Sequence, residues 1–170
     1  ELEIDLHRHL IKIFKLNKDG SRIIGVPAST SPNLISMPYT VKGHLIELEA
    51  RINDKSYSIA FDSGSEVLLL DKNTVDKEQI HTNLLFSKTL LTSCGLQTDM
   101  EIRQLDSICV GLNLNDIKTV LTDFNKIRSQ SFKVNGLIGY DLIAAGVVTI
   151  NFNTRILQIL PYNTDSFIPV

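Results

Sequence analysis

Ser58-Ile59-Ala60-Phe61-Asp62-Ser63-Gly64-Ser65-Glu66-Val67-Leu68-Leu69-Leu70 sets one carboxylate at a polar turn between two apolar runs. Gly64 supplies the backbone freedom for a tight bend and for close approach of another chain. Ser63 and Ser65 put hydroxyls beside the carboxylate. Taken alone, Asp-Ser-Gly-Ser is ordinary turn composition. Its flanks change the reading, because two strongly apolar runs imply a turn lying deep in the fold. A buried carboxylate is costly unless it is hydrogen-bonded or shares a proton. That cost is met more often at functional sites than elsewhere.

The surrounding chain reads mostly as β. Before the turn, Leu45–Ile52 alternates Leu45, Glu47, Glu49 and Arg51 against Ile46, Leu48, Ala50 and Ile52, and residues 57–61 return after Asn53-Asp54-Lys55 as a hairpin. After it, residues 67–70 suit a buried strand, and 71–79 a short helix. Residues 102–110 and 118–121 are further strands. Residues 141–145 suit a short helix ending at Gly146, and 147–152 with 156–160 form a last hairpin around Asn153-Thr154. Towards the N-terminus, Leu2, Ile4 and Leu6 alternate with Glu1, Glu3 and Asp5. Asn17-Lys18-Asp19-Gly20 is a turn signal that makes 10–26 a candidate hairpin. Pro27, Pro32 and Pro38 make 27–38 an irregular connection. There is no internal repeat, so each motif occurs once.

Bulk properties narrow the function. The chain has 170 residues, 43% apolar and 21% charged, which suits a single folded domain. A net charge of −2 with no basic run argues against a nucleic-acid partner. No apolar run reaches the roughly 20 residues of a transmembrane segment. The chain begins at Glu1, consistent with trimming or with removal of a leader. Cys94 and Cys109 are too few for a disulfide framework and read as two small thiols, bridged only if the protein is exported. His7, His9, His44 and His81 form no metal-ligand set with them, so neither metal nor cofactor is expected.

Phe61-Asp62-Ser63-Gly64-Ser65 resembles the hydrophobic-Asp-Thr/Ser-Gly-Ala/Ser signature of aspartic peptidases. Val134-Asn135-Gly136-Leu137-Ile138-Gly139-Tyr140-Asp141 resembles that family's hydrophobic-hydrophobic-Gly element, carried by Leu137, Ile138 and Gly139. In the family this element crosses beneath the active-site loop and leads into a short helix. Asp62 and Gly139 lie 77 residues apart, which suits a single-lobe, retropepsin-like chain. The closing segment from Val147 resembles the last hairpin of retropepsin-like proteins found in many bacteria. The resemblance covers about residues 39–162. It implies an all-β closed acid-protease barrel with one or two short helices, an N-terminal arm or accessory strands over 1–38, and a tail over 163–170.

The implied activity is hydrolysis of peptide bonds in a peptide or protein substrate. Two aspartates share a proton: one takes a proton from water while the other donates to the carbonyl oxygen. Two carboxylates about 3 Å apart do not both ionise easily, so their apparent pKa values split. One motif per chain implies a homodimer, with Asp62 the catalytic residue of each subunit. Ser63 matches the hydroxyl that cross-links the two loops, with a local turn hydrogen bond as the other reading. Ser65 is expected to donate to the outer oxygen of Asp62 and lower its pKa, giving an acid-shifted optimum relative to Ser65→Ala. A flap is expected between Phe86 and Ile102, with Cys94, Gly95 and Leu96 near its tip. Glu66 either binds substrate or sits at the barrel mouth. Asp141 reads as a helix cap rather than a second catalytic acid. The absent start Met and the bacterial resemblance point to export or the periplasm. The alternatives are an inactive barrel that dimerises or binds peptide, and a purely structural β domain.

Overall fold

The computed structural model describes residues 1–19, 21, 32–75, 82–91, 97–127 and 133–162. Among the described residues there are thirteen strands and two short helices, and the chain divides into two compact units. One is Val41–Asp141; the other joins Glu1–Thr40 to Leu142–Val170.

The Val41–Asp141 unit carries the motif. Its main strands are β5 (Leu45–Ile52), β6 (Lys55–Phe61), β7 (Leu68–Asp71), β8 (Thr82–Leu91), β9 (Gln97–Val110), β10 (Leu112–Thr122) and β11 (Gly136–Ile138). A three-residue strand β4 (Thr40–Lys42) precedes β5, giving the order β4-β5-β6-β11-β7-β10-β9-β8. A further pairing, Arg51 with Cys109, links β5 back to β9. Six strands thus return on themselves through one residue pair, a narrower closure than the full barrel the resemblance implies.

Alternation explains the inward face of β5. Leu48, Ala50 and Ile52 are buried while Glu49 and Arg51 face solvent. Asn53 takes the left-handed φ of 52° that the tight β5–β6 turn requires. Leu48, Ile59, Leu68, Leu70, Ile108, Leu121 and Ile138 are fully buried, each contributing about 1.5–3 kcal/mol of transfer free energy. Helix α1 (Phe124–Ile127) adds Phe124, which packs with Ala60 and Val134.

The second unit is a five-stranded sheet. Its strands are β1 (Leu2–Asp5), β2 (Leu10–Ile13), β3 (Ile35–Pro38), β12 (Gly146–Asn151) and β13 (Ile156–Pro161), in the order β2-β1-β12-β13-β3. Asn151 shapes the β12–β13 turn, its Oδ1 accepting the Asn153 and Thr154 N–H groups at 3.1 Å each. Val148, Ile150, Leu157 and Ile159 form its buried face. Asp5, also buried, accepts the Arg8 N–H at 3.0 Å and the Tyr162 hydroxyl at 3.1 Å, and pairs with the Arg8 guanidinium.

Several expectations change. β2 pairs with β1 around a turn at residues 6–9; the Asn17 N–H donates to Ser21 O at 2.8 Å across the expected turn, while residues 20 and 22–26 of the expected 10–26 hairpin lie outside the described residues. β3 lies within the stretch read as irregular, because Ile35–Pro38 finds a partner in β13. The described part of 71–79 forms turns rather than a helix: the Asp71 carbonyl accepts both the Thr74 and Val75 N–H groups at 3.0 Å. Strands β9 and β10 are far longer than their apolar cores, the first arm of the hairpin expected from Phe86 begins earlier, at Thr82 in β8, and α1 was not anticipated.

Candidate active site

The loop after β6 is held by the segment that follows β11. β11 inserts between β6 and β7, parallel to the first (Leu137 opposite Ala60) and antiparallel to the second (Leu137 opposite Leu69). The two apolar strands flanking Asp62 are therefore parted by Leu137 and Ile138. At the loop, the Asp62 N–H donates to Ile138 O at 2.9 Å, and the Tyr140 N–H donates to Ser65 O at 2.8 Å. Within the loop, the Ser65 N–H donates to Asp62 O at 2.9 Å.

Gly139 lies between these two contacts, and only glycine fits there. A Cβ at Gly139 would stand 1.9 Å from Asp62 O and 2.8 Å from Ser65 O. Both are backbone atoms, which have no rotamer by which to move away. At the far end of the strands, Asn135 ties β6 to β7. Its side-chain oxygen accepts the Ser58 N–H at 2.8 Å, its N–H donates to Ser58 O at 2.6 Å, and its carbonyl accepts the Asp71 N–H at 2.8 Å. The sequence reading gave Asn135 no role; a lone polar residue inside an apolar run was the signal for it.

Asp62 departs from expectation. Its side chain is exposed in the single chain, as are Ser63, Gly64 and Glu66. The apolar flanks bury the strands but not the turn between them, and the bracing by 138–140 takes up its backbone side only. The Oδ1 of Asp62 accepts the Gly64 N–H at 2.9 Å. Gly64 does not adopt a left-handed φ, and a Cβ there would meet Asp62 Oδ1 at 3.3 Å. Its role is thus room beside the carboxylate rather than unusual backbone torsion.

Ser65 is also corrected. It is buried, and its hydroxyl donates to Val67 O at 2.7 Å. The single hydroxyl proton is spent on the loop's own backbone, so the expected donation to Asp62 does not occur in this chain.

Helix α2 (Tyr140–Ala145) begins directly after Gly139. Tyr140 is 54% exposed beside the loop, an aromatic that sequence reading passed over because it directly follows the glycine motif. Asp141 lies in the first turn of α2, and its Oδ2 is buried without a hydrogen-bond partner among the described residues. Burial pushes its pKa above the ordinary carboxylate value, against the smaller opposing effects of the Leu68 N–H and its own N–H.

The expected flap falls on the β8–β9 hairpin, but Cys94, Gly95 and Leu96 lie outside the described residues. Arms of this hairpin pair from Thr82 with Leu105 to Leu91 with Gln97, interrupted by a bulge between Leu84 and Phe86. The bulge breaks the two-residue alternation, and Leu84, Leu85 and Phe86 are all more than half exposed. Cys109 is a half-buried free thiol. Among the described residues no group of three or more His, Cys, Asp or Glu side chains is placed to hold a metal ion, and no helix is long and apolar enough to cross a membrane.

No family model matches the sequence, and no curated protein matches it. Among solved structures, the chain is similar to a retropepsin-like aspartic protease from Rickettsia conorii, with a TM-score of 0.51 and 17% identity. The match covers 76% of this chain and all of the other. The fold is therefore retropepsin-like: a mostly β chain with two short helices.

Proposed function

We propose that the chain is one subunit of an aspartic endopeptidase, with a dyad formed by Asp62 from each of two copies. The observation that carries this reading is the contrast at Asp62. Its backbone is fixed by Ile138, Gly139 and the Ser65 turn, while its carboxylate faces outward. An ordinary surface aspartate needs no glycine-only contact beneath it. A carboxylate that must meet its twin within hydrogen-bond distance needs both a rigid base and an open face. Asp141, the other acid near the loop, is half-buried with one carboxylate oxygen enclosed, while Asp62 is exposed, which supports a second catalytic acid supplied by a second chain.

In such a dimer, two carboxylates share one proton and hold a water between them. The ionised Asp62 takes a proton from that water as it attacks the scissile carbonyl carbon. The protonated Asp62 donates to the carbonyl oxygen, and the two roles are interchangeable between subunits. The substrate binds as an extended strand beneath the β8–β9 hairpin.

Incubation with an unfolded protein at acid pH tests this. Cleavage is expected, blocked by pepstatin and abolished by Asp62→Asn. Cleavage that persists in Asp62→Asn would refute the assignment. The exposed run Leu84, Leu85 and Phe86 on the edge strand β8 favours a second reading, a module that binds extended peptides without cutting them. Peptide retained but recovered intact would support that alternative.

A further inference from the structure

The five-stranded sheet has one apolar face, crossed by two rows of side chains that take one residue from each strand. In register, Ile11, Ile4, Val148, Ile159 and Ile35 form the first row. Ile13, Leu2, Ile150, Leu157 and Met37 form the second. The middle of both rows is fully buried, and so are Ile4 and Met37. At β3 the rows finish under cover, Ile35 being half-buried. At β2 they do not: Ile11 is 71% exposed and Ile13 83%.

The backbone of β2 is open at the same place. The Glu1 amino group donates to Phe14 O at 3.0 Å, and the Phe14 N–H donates to Glu1 O at 2.8 Å, so Phe14 faces β1. Hydrogen-bonding direction alternates along an antiparallel strand. Lys12 and Leu10 therefore also face β1, while Ile11 and Ile13 turn their N–H and C=O groups away from it. Among the described residues no strand lies beyond β2. The opposite edge is not equivalent, because β3 ends in Pro38, which has no N–H to donate.

We propose that β2 is a self-pairing edge: a second copy of this chain lays its own β2 antiparallel against it, across a two-fold axis through Lys12, to give a continuous ten-stranded sheet. Ile11-Lys12-Ile13 reads the same in both directions, which suits a two-fold contact of one strand with itself. Ile11 of each copy then lies opposite Ile13 of the other, in hydrogen-bonded pairs, and both apolar rows run unbroken from copy to copy. Lys12 lies opposite its counterpart, a like-charge pair, but each Lys12 Nζ already donates to Glu3 of its own chain at 2.9 Å, which offsets the charge. A register slipped by two residues sets Ile13 against His9, which sits in the turn at φ 52° and donates its N–H to Leu6 O. One short strand is small beside the roughly 1,200–2,000 Å² of a stable interface, so this contact alone gives a reversible, concentration-dependent association. The inference does not depend on the peptidase reading, and its test reads no activity.

Lys12→Cys tests it, in a chain whose Cys94 and Cys109 are both replaced by serine. Position 12 would form a non-hydrogen-bonded pair with itself, with Cα atoms about 4.5 Å apart, inside the range of about 4.4–6.8 Å that a disulfide spans. Mild oxidation is expected to link most of the chain into a covalent dimer. Leu10→Cys is the control: it shares a face with position 12 but would lie about 13 Å from its counterpart, and it should stay unlinked. Adding Ile13→Lys to Lys12→Cys is expected to lower linkage at least tenfold, with the fold checked by circular dichroism. No linkage at position 12, equal linkage at position 10, or linkage indifferent to Ile13→Lys would overturn the proposal. Amide exchange in the unaltered protein gives a second readout: protection of Ile11 and Ile13 should rise with protein concentration. Protection that ignores concentration would mean that the edge is covered within one chain. Protection absent at every concentration would leave the edge to a different protein, and either result would overturn the pairing. A dimer formed through any other face produces no linkage at position 12, so failure of this contact and failure of the Asp62 dyad are read separately.

Discussion

Replacing Gly139 by alanine tests the bracing of the Asp62 loop in the narrowest way available. The added methyl would lie 1.9 Å from Asp62 O, 2.8 Å from Ser65 O and 3.0 Å from Asp62 C. Ordinary contact begins near 3.4 Å, so the loop must retreat by about 1.5 Å. Overpacking of this kind costs about 1–3 kcal/mol. The retreat also stretches the bonds from Asp62 to Ile138 and from Tyr140 to Ser65, each worth about 1 kcal/mol net. The expected loss is about 3–5 kcal/mol, a large share of the roughly 5–15 kcal/mol that holds a domain together. Urea unfolding monitored by circular dichroism reads it directly. Gly43→Ala is the internal control. Its φ is +63° and nothing lies within 4 Å of an added Cβ, so only torsional strain of about 1–2 kcal/mol is expected. If Gly139→Ala is no more destabilising than Gly43→Ala, the glycine does not brace the loop.

Two further outcomes follow from hydrogen bonds elsewhere. Ser65→Ala is expected to cost about 1 kcal/mol, the value of its bond to Val67 O, and to leave the pH profile of peptide cleavage unmoved; a profile shifted towards neutral pH would restore a direct contact with Asp62. Asp5 is expected to govern acid stability in the N-terminal sheet. Burial raises its pKa, but the Arg8 N–H, the Arg8 guanidinium and the Tyr162 hydroxyl together outweigh burial and hold it below the ordinary carboxylate value. Its stabilisation is therefore complete above the unfolded value and is lost as pH falls through the folded one. Asp5→Asn should unfold at lower urea than wild type at neutral pH, and the gap should close in strong acid; a gap independent of pH would count against this.

Local pattern carried much of the fold. The alternation in Leu45–Ile52, the Asn53 turn and the hairpin around Asn153-Thr154 depend on neighbours in sequence, and all three stand where the pattern put them. Long-range pairing did not announce itself. β1 bonds to β12 across the length of the chain, and nothing in Leu2–Asp5 specifies that partner. The site shows the same division. Leu137, Ile138 and Gly139 were legible as a motif, and their contact with the Asp62 loop follows from β11 lying between β6 and β7. The exposure of Asp62 was not legible, because apolar flanks report on strands and not on which side of the turn another strand crosses. Ser65 bonds to Val67 O, a backbone atom whose availability depends on the loop's three-dimensional path.

Mixing experiments reach the central claim, that two copies of Asp62 make one site. Wild-type chain would be combined with increasing Asp62→Asn chain under conditions that let subunits exchange, and peptide cleavage measured against composition. A shared dyad predicts that activity falls with the square of the wild-type fraction, since every mixed pair lacks one acid. Activity falling only in proportion to the wild-type fraction would mean that each chain works alone, and would contradict the account.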